Sequence, residues 1–212
     1  MSTDDTQLAI YDARIELADF LIEVFHDTPS VAFVERLGSG EVVTPTDPVN
    51  DPLDRGFERI RTFVDGIEGR DPETVREELA AEYSRMFVGP RPPVLLHETY
   101  YRDDTDFIGE GLAQVEASYS AAGWTPPEEY GEENDFLAVE LAFLRHLIGR
   151  QREGAEETFG YERVFLDEHL LTWGDDAAAD VEAEADSDLY LAAADVLLGF
   201  CEFEDELVAQ LV

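Results

Sequence analysis

Apolar residues in this chain recur three and four positions apart, and no sustained apolar-polar alternation of period two appears anywhere. The first spacing lines side chains along one face of an α-helix; the second is what a half-buried strand requires. Leu8, Tyr11, Ile15, Ala18, Ile22 and Phe25 set the pattern, and the run stops at Thr28-Pro29. A shorter group, Val31, Phe33, Val34 and Leu37, closes at Gly38-Ser39-Gly40, and the loop TPTDPVNDP follows. The same reasoning predicts helices over residues 53–67, 72–87, 107–122, 156–173 and 189–211. Another starts at Asn134 or Asp135, either of which can cap it. In that helix Leu137, Leu141, Leu144 and Ile148 form one line and Phe136, Glu140, Phe143 and Leu147 a second, so it is apolar over a wide arc and belongs at the centre. The stretch GDDAAADVEAEADSD reads as a solvated helix or a mobile link. With 212 residues and no internal repeat, the expectation is an all-α chain, a helical bundle forming a single domain.

Charge narrows the partners. There are 50 acidic residues against 14 basic ones, a formal net charge of -36, and every basic residue other than histidine is Arg. Such a surface repels phosphate backbones, which excludes nucleic acid as a partner. A composition of 11% aromatic and 44% hydrophobic residues supports a packed core, so the acidity belongs to the surface. A lysine-free acidic surface fits a cytoplasm of very high salt. There the Debye length falls to about 3 Å, and a cationic partner has to be held by close contacts. The single Cys201 cannot form an internal disulfide, MSTDDTQLAI lacks the basic and apolar regions of a secretory signal, and no run approaches the ~18 apolar residues of a membrane span. The expected compartment is the cytoplasm, without membrane insertion.

Much catalytic chemistry is missing. Without Lys there is neither a Walker-type phosphate loop nor a Schiff-base lysine. None of His26, His97, His146 and His169 stands in H-E-x-x-H, and Glu23-x-x-His26 is a single copy of a Glu-x-x-His spacing that helical di-iron proteins need on two helices, so no metal is expected. Cys201 lies in LLGFCEF, the setting of a buried inert thiol, and no G-x-S-x-G elbow occurs.

The most unusual segment is EYSRMFVGPRPPVLLHETYYRD, a helix end running into Gly-Pro and Pro-Pro and re-emerging with paired tyrosines. It resembles the TorD/DmsD family of molybdoenzyme maturation chaperones, whose signature is E-Y-x-R-L-F, a Pro-rich Gly-Pro loop, Y-E-S-x-Y, and later a helix opening with Asp-His and continuing E-L-x-F. Glu82, Tyr83, Arg85, Met86 and Phe87 match the first part, Gly89, Pro90, Pro92 and Pro93 the loop, and Glu98, Thr99 and Tyr101 the next, with His97 where Tyr is usual. Asp135, Glu140, Leu141 and Phe143 match the last part, with Phe136 in place of His. The resemblance implies a TorD-like helical fold and a non-enzymatic holdase. It would bind the N-terminal leader, commonly a twin-arginine signal, and the immature catalytic subunit of a molybdenum-containing reductase. The implied client is of the dimethyl sulfoxide or trimethylamine N-oxide reductase kind, escorted until cofactor insertion and export. No bound cofactor is expected, and a homodimer is compatible with the loops at residues 38–52 and 123–134, either able to act as a swapping hinge. Alternatives are an assembly chaperone of membrane-bound nitrate reductase, a small helical enzyme and a plain interaction module.

A leader offers guanidinium forks followed by an apolar, helix-prone run. Carboxylates hold the first and an apolar ledge the second. The expected contact set is Phe87, Val88, Gly89, Pro90, Pro93, Leu95, Leu96, Glu98, Tyr101, Asp135, Phe136 and Glu140, with Val94 adding to the apolar part. The prolines lower the ordering cost of docking. Glu140, flanked by Phe136 and Phe143, is expected to be functional or internally paired, and Glu82 with Arg85 to form an exposed intrahelical pair.

Overall fold

The computed structural model describes residues 3–40, 42, 44–102 and 108–211. They are helical, with no β-strand among the described residues beyond a single bridge between His97 and Phe136. The helices are α1 (Thr3–His26), α2 (Val31–Gly38), α3 (Asp51–Ile67), α4 (Pro72–Tyr83), α5 (Glu98–Tyr101), α6 (Ile108–Ala121), α7 (Leu137–Arg152), α8 (Thr158–Phe165), α9 (Leu171–Glu184) and α10 (Asp188–Leu211). Turns of π-helix follow α4 (Ser84–Val88) and α8 (Leu166–Leu170). Among the described residues no helix is long and apolar enough to cross a membrane. Phe107, the expected first residue of α6, lies outside the described residues.

Two expected boundaries change. Helix α9 runs through Trp173 to Glu184, so the acidic Ala-rich stretch is a solvated helix rather than a link: Ala177, Ala178 and Val181 give it a buried edge. Helix α7 is capped by neither Asn134 nor Asp135. Its N-cap is Phe136, without a side-chain bond, because the Asp135 carboxylate is engaged elsewhere.

The chain divides into two compact units, Met1–His26, Leu96–Gly174 and Phe200–Val212 forming one and Asp27–Leu95 and Asp175–Gly199 the other. In the first, α1 packs along α7 and α7 along α8. Helix α7 is buried continuously from Leu137 to Leu144 and again at Leu147, Ile148 and Gln151, as its two apolar lines require. Tyr119, Trp124, Phe143 and Phe165 stack beside it with neighbouring ring centroids 4.8–5.9 Å apart. Burying each such side chain contributes about 1.5–3 kcal/mol. The stripe of α1 is rotated from expectation: Tyr11, Arg14, Ala18, Leu21, Val24 and Phe25 are buried, whereas Leu8 is exposed. An arginine thus sits in an apolar seam.

In the second unit, α2 packs on α3 and α4. Asn50 caps α3 by accepting from the Leu53 N–H at 2.9 Å, and its amide donates to the Gly199 carbonyl at 2.8 Å. This contact requires glycine, since a Cβ on Gly199 would lie 2.6 Å from the Leu53 nitrogen. Glu82 and Arg85 do not pair with one another. The Glu82 carboxylate accepts from the Asp186 and Ser187 N–H groups at 2.6 and 2.9 Å, and Arg85 donates to Asp186 at 2.8 Å. The uncapped amides before α10 are a stronger draw for Glu82 than an exposed i,i+3 arginine.

Candidate functional site

In the second unit the connector begins where the π-helical turn Ser84–Val88 ends α4. The Gly89 N–H donates to the Ser84 carbonyl at 2.8 Å and the Val94 N–H to the Met86 carbonyl at 3.2 Å, closing a loop stiffened by Pro90, Pro92 and Pro93. Met86 and Val94 anchor it inward, fully buried. Phe87 is half-buried, its ring edge-on to Tyr83 at 4.9 Å and Tyr190 at 6.0 Å. Val88 is 65% exposed and Leu95 37%, and Pro90 and Pro93 are exposed beside them. These are large apolar groups fixed on a rigid loop and turned to solvent.

In the first unit the following residues are stitched to the start of α7. The Leu137 N–H donates to the Leu96 carbonyl at 2.9 Å and the Glu98 N–H to the Asp135 carbonyl at 3.0 Å, bracketing the His97–Phe136 bridge. The buried Asp135 carboxylate accepts from Thr99 Oγ1 at 2.6 Å, the Thr99 N–H at 3.3 Å and His97 Nδ1 at 3.1 Å. Burial alone would raise its pKa, but the hydrogen bonds from His97 and Thr99 outweigh burial and hold it below the ordinary aspartate value.

Glu98, fully buried, accepts from Arg102 Nη1 at 2.5 Å and from His169 Nδ1 at 2.9 Å, while His169 Nε2 lies 3.0 Å from Ser118 Oγ. The π-helical turn Leu166–Leu170 carries His169 inward. Glu140 is also fully buried. Its Oε2 accepts from the Trp173 indole N–H at 3.3 Å, its Oε1 has no hydrogen-bond partner, and Tyr101 packs on Trp173 with centroids 5.4 Å apart. Burial, followed by the negative charge of Glu98, pushes the Glu140 pKa far up, and the Trp173 N–H opposes this only in part. Glu140 therefore holds a proton well above the ordinary glutamate range.

Ser118, His169 and Glu98 follow one another like a hydrolytic triad, but Ser118 sits inside α6, where the neighbouring N–H groups are spent on helical bonds and none is left for an oxyanion. The geometry orients a histidine; it does not activate a nucleophile. Among the described residues no group of three or more His, Cys, Asp or Glu is placed to hold a metal ion.

Of the expected contact set, Val88, Pro90, Pro93 and Leu95 are exposed, Phe87, Gly89 and Tyr101 half-buried, and Leu96, Glu98, Asp135, Phe136 and Glu140 buried. The three carboxylates are thus not presented to solvent in this conformation: their oxygens are taken up by His97, Thr99, Arg102, His169 and Trp173. Sequence reasoning missed His169, Arg102 and Trp173. The available signal was a histidine inside the apolar run LDEHLLTW. It also missed a second cluster in this unit. Arg14 donates to Glu204 (Nε to Oε1, 2.9 Å), Glu162 (2.7 Å) and Gln151 (2.9 Å), every member at most 4% exposed.

The described residues thus combine a helical frame with a proline-stiffened loop that turns Val88 and Leu95 to solvent. The chain belongs to the nitrate reductase delta subunit family, whose model matches residues 50–179. It is 25% identical over 197 residues to a protein named chaperone protein TorD from Vibrio parahaemolyticus, covering 89% of this chain and 86% of that one. Its identity to the TorD chaperone of Vibrio cholerae is 27% over 209 residues, 95% and 94% of the two chains. With the one from Photobacterium profundum it shares 24% over 196 residues, 89% and 85% of the two chains. These relatives are named as chaperones, and the chain is not an enzyme. No solved structure matches it significantly.

Proposed function

We propose that the protein is a maturation chaperone of a molybdenum-containing reductase, with a client of the dimethyl sulfoxide or trimethylamine N-oxide reductase kind. It acts in the cytoplasm, holding the immature catalytic subunit by its N-terminal leader until cofactor insertion and export. The observation that carries this reading is the connector: Val88 and Leu95 stand exposed on a proline-stiffened loop anchored by Met86 and Val94. In this reading Phe87, Val88, Gly89, Pro90, Pro93 and Leu95 of the second unit supply a contact surface, and Tyr101 of the first unit supplies a contact of its own. Leu96, Glu98, Asp135, Phe136 and Glu140 form the frame that keeps the following segment in place.

Magnitudes support an apolar contact. An exposed ion pair contributes about 0–1 kcal/mol, so two leader arginines at the surface fall short of the ~8 kcal/mol of a micromolar complex. Several apolar leader residues at about 1.5–3 kcal/mol each, less the cost of ordering, supply the difference.

The second reading, an assembly chaperone of membrane-bound nitrate reductase, is favoured by the description of the family itself. The test is identification of the polypeptide that co-purifies with this one, before and after its first thirty or so residues are deleted. Retrieval of a cofactor-free reductase subunit that depends on those residues supports leader binding. Undiminished retrieval of a nitrate reductase subunit without them supports the second reading.

A further inference from the structure

The second unit contains a cavity of about 310 Å³ that the proposed contact surface does not use. Phe63 and Ile67 of α3 and Val75 and Leu79 of α4, all buried, make an apolar floor. Four carboxylates, Glu78, Glu82, Asp186 and Asp188, and one guanidinium, Arg70, line the remainder together with Thr62, Gly66 and Ser187. Its size is at the small end of ligand pockets, which run from about 300 to 1,000 Å³ and take whole cofactors at the upper end. An anionic ligand meets a surplus of negative charge here, within a chain of net charge -36.

The carboxylates differ in their commitments. Glu82 is held by the Asp186 and Ser187 N–H groups, and Asp186 by Arg85. Glu78 instead receives Arg70 Nη2 at 2.6 Å, with side chains 60% and 38% exposed. The pocket wall therefore already accepts a guanidinium, through a solvent-exposed pair that can exchange partners. A ligand matching both floor and wall has an apolar stem and a planar cationic head, which is the arginine side chain. Its methylenes cover apolar surface while its fork engages a carboxylate bidentately, something a lysine ammonium does less well.

We propose that this cavity between α3, α4 and the start of α10 receives one arginine side chain of a bound polypeptide, whose guanidinium displaces Arg70 from Glu78 and lies toward Asp188. The proposal rests on the reading that the protein binds an arginine-bearing leader, and adds a second contact distinct from the connector. Because head and stem are both held at contact distance, the site works in the strongly screening salt that the acidic surface suits.

The test is an NMR titration of the ¹⁵N-labelled full chain with N-acetyl-arginine amide in molar KCl, with N-acetyl-lysine amide as control. The expected result is saturable shifts of the Thr62, Gly66, Val75 and Ser187 amides, weaker for lysine. Glu78→Gln with Asp188→Asn lowers the affinity about tenfold, the worth of a hydrogen bond to a charged group. Arg70→Ala, at an exposed position, raises it by removing the resident competitor. No shifts at these residues, or equal binding by the Arg70→Ala variant and the parent, would overturn the pocket even if a leader peptide still binds. Seating of arginine amide with no binding of any leader keeps the guanidinium site and sinks the leader reading instead.

Discussion

Around Arg14, two carboxylates share one guanidinium. Around Glu98, three carboxylates are held by two imidazoles, a threonine, an arginine and an indole. Both clusters lie inside the first unit, and both keep acidic groups from water at positions where an unpaired charge would be prohibitive. The Arg14 cluster joins α1, α7, α8 and α10 through a group that never loses its charge. The Glu98 cluster joins α5, α6, the start of α7 and the π-helical turn after α8 through a chain of side-chain hydrogen bonds. The lesson is that the segment leading out of the connector is fixed by several separate hydrogen bonds, while the helices beneath converge on one guanidinium.

Removing the clamp has the largest expected effect. Arg14→Leu leaves Glu162 and Glu204 buried without a cation and costs about 3–5 kcal/mol in urea unfolding. A loss below about 1 kcal/mol would mean that the two clusters do not differ in this respect. Next is Glu98→Gln, which takes a charged acceptor from Arg102 and His169 and costs about 1–3 kcal/mol. Glu140→Gln has a smaller effect, within about 1 kcal/mol near neutral pH. The amide is shaped like the protonated carboxyl that burial favours and still accepts from Trp173.

That third substitution also separates the clusters by pH. Burial, opposed by Arg14 and aided by Glu162, pushes Glu204 up to about 8, against an ordinary 4.5. Between those values the folded chain keeps a proton that the unfolded chain has released, so stability falls as pH rises from about 4.5 to about 8. Glu140, raised in the same sense, adds to the fall, and Glu140→Gln makes it shallower while leaving the Glu204 contribution in place. Asp135, held below its ordinary 3.8, acts oppositely: its stabilisation is present above that value and is lost as pH falls through the lowered one. Urea midpoints of wild type and Glu140→Gln across this range give the slopes, and equal slopes would remove Glu140 from the account. The smallest effect on stability is that of Val88→Asp, within about 0.5 kcal/mol, because the side chain is 65% exposed.

The helices were legible because burial on one face forces 3,4 spacing, and α7 was recognisable as central because two apolar lines leave little of it polar. Arg14 was not, since an arginine between apolar positions reads as the outward face until Glu204, 190 positions away in sequence, is brought to it. The same limit hid Glu82, whose N–H partners come from a turn more than a hundred residues on. At the connector, the prolines and apolar residues marked a rigid segment. The direction of each side chain depends on the π-helical turn Ser84–Val88, which no 3.6-residue period announces. The acidic residues expected to meet a ligand, Glu98, Asp135 and Glu140, lie inside because His97, Thr99, Arg102, His169 and Trp173 hold them there, and of the expected contact set Val88, Pro90, Pro93 and Leu95 are exposed.

The most direct test of the connector as a peptide-binding surface is titration of a fluorescent leader peptide into wild type and into Val88→Asp with Leu95→Asp, at low and at molar KCl. Apolar contact predicts micromolar affinity that persists in high salt and weakens about tenfold or more in the double variant. Affinity that collapses in molar KCl, or that the double variant leaves unchanged, would contradict it.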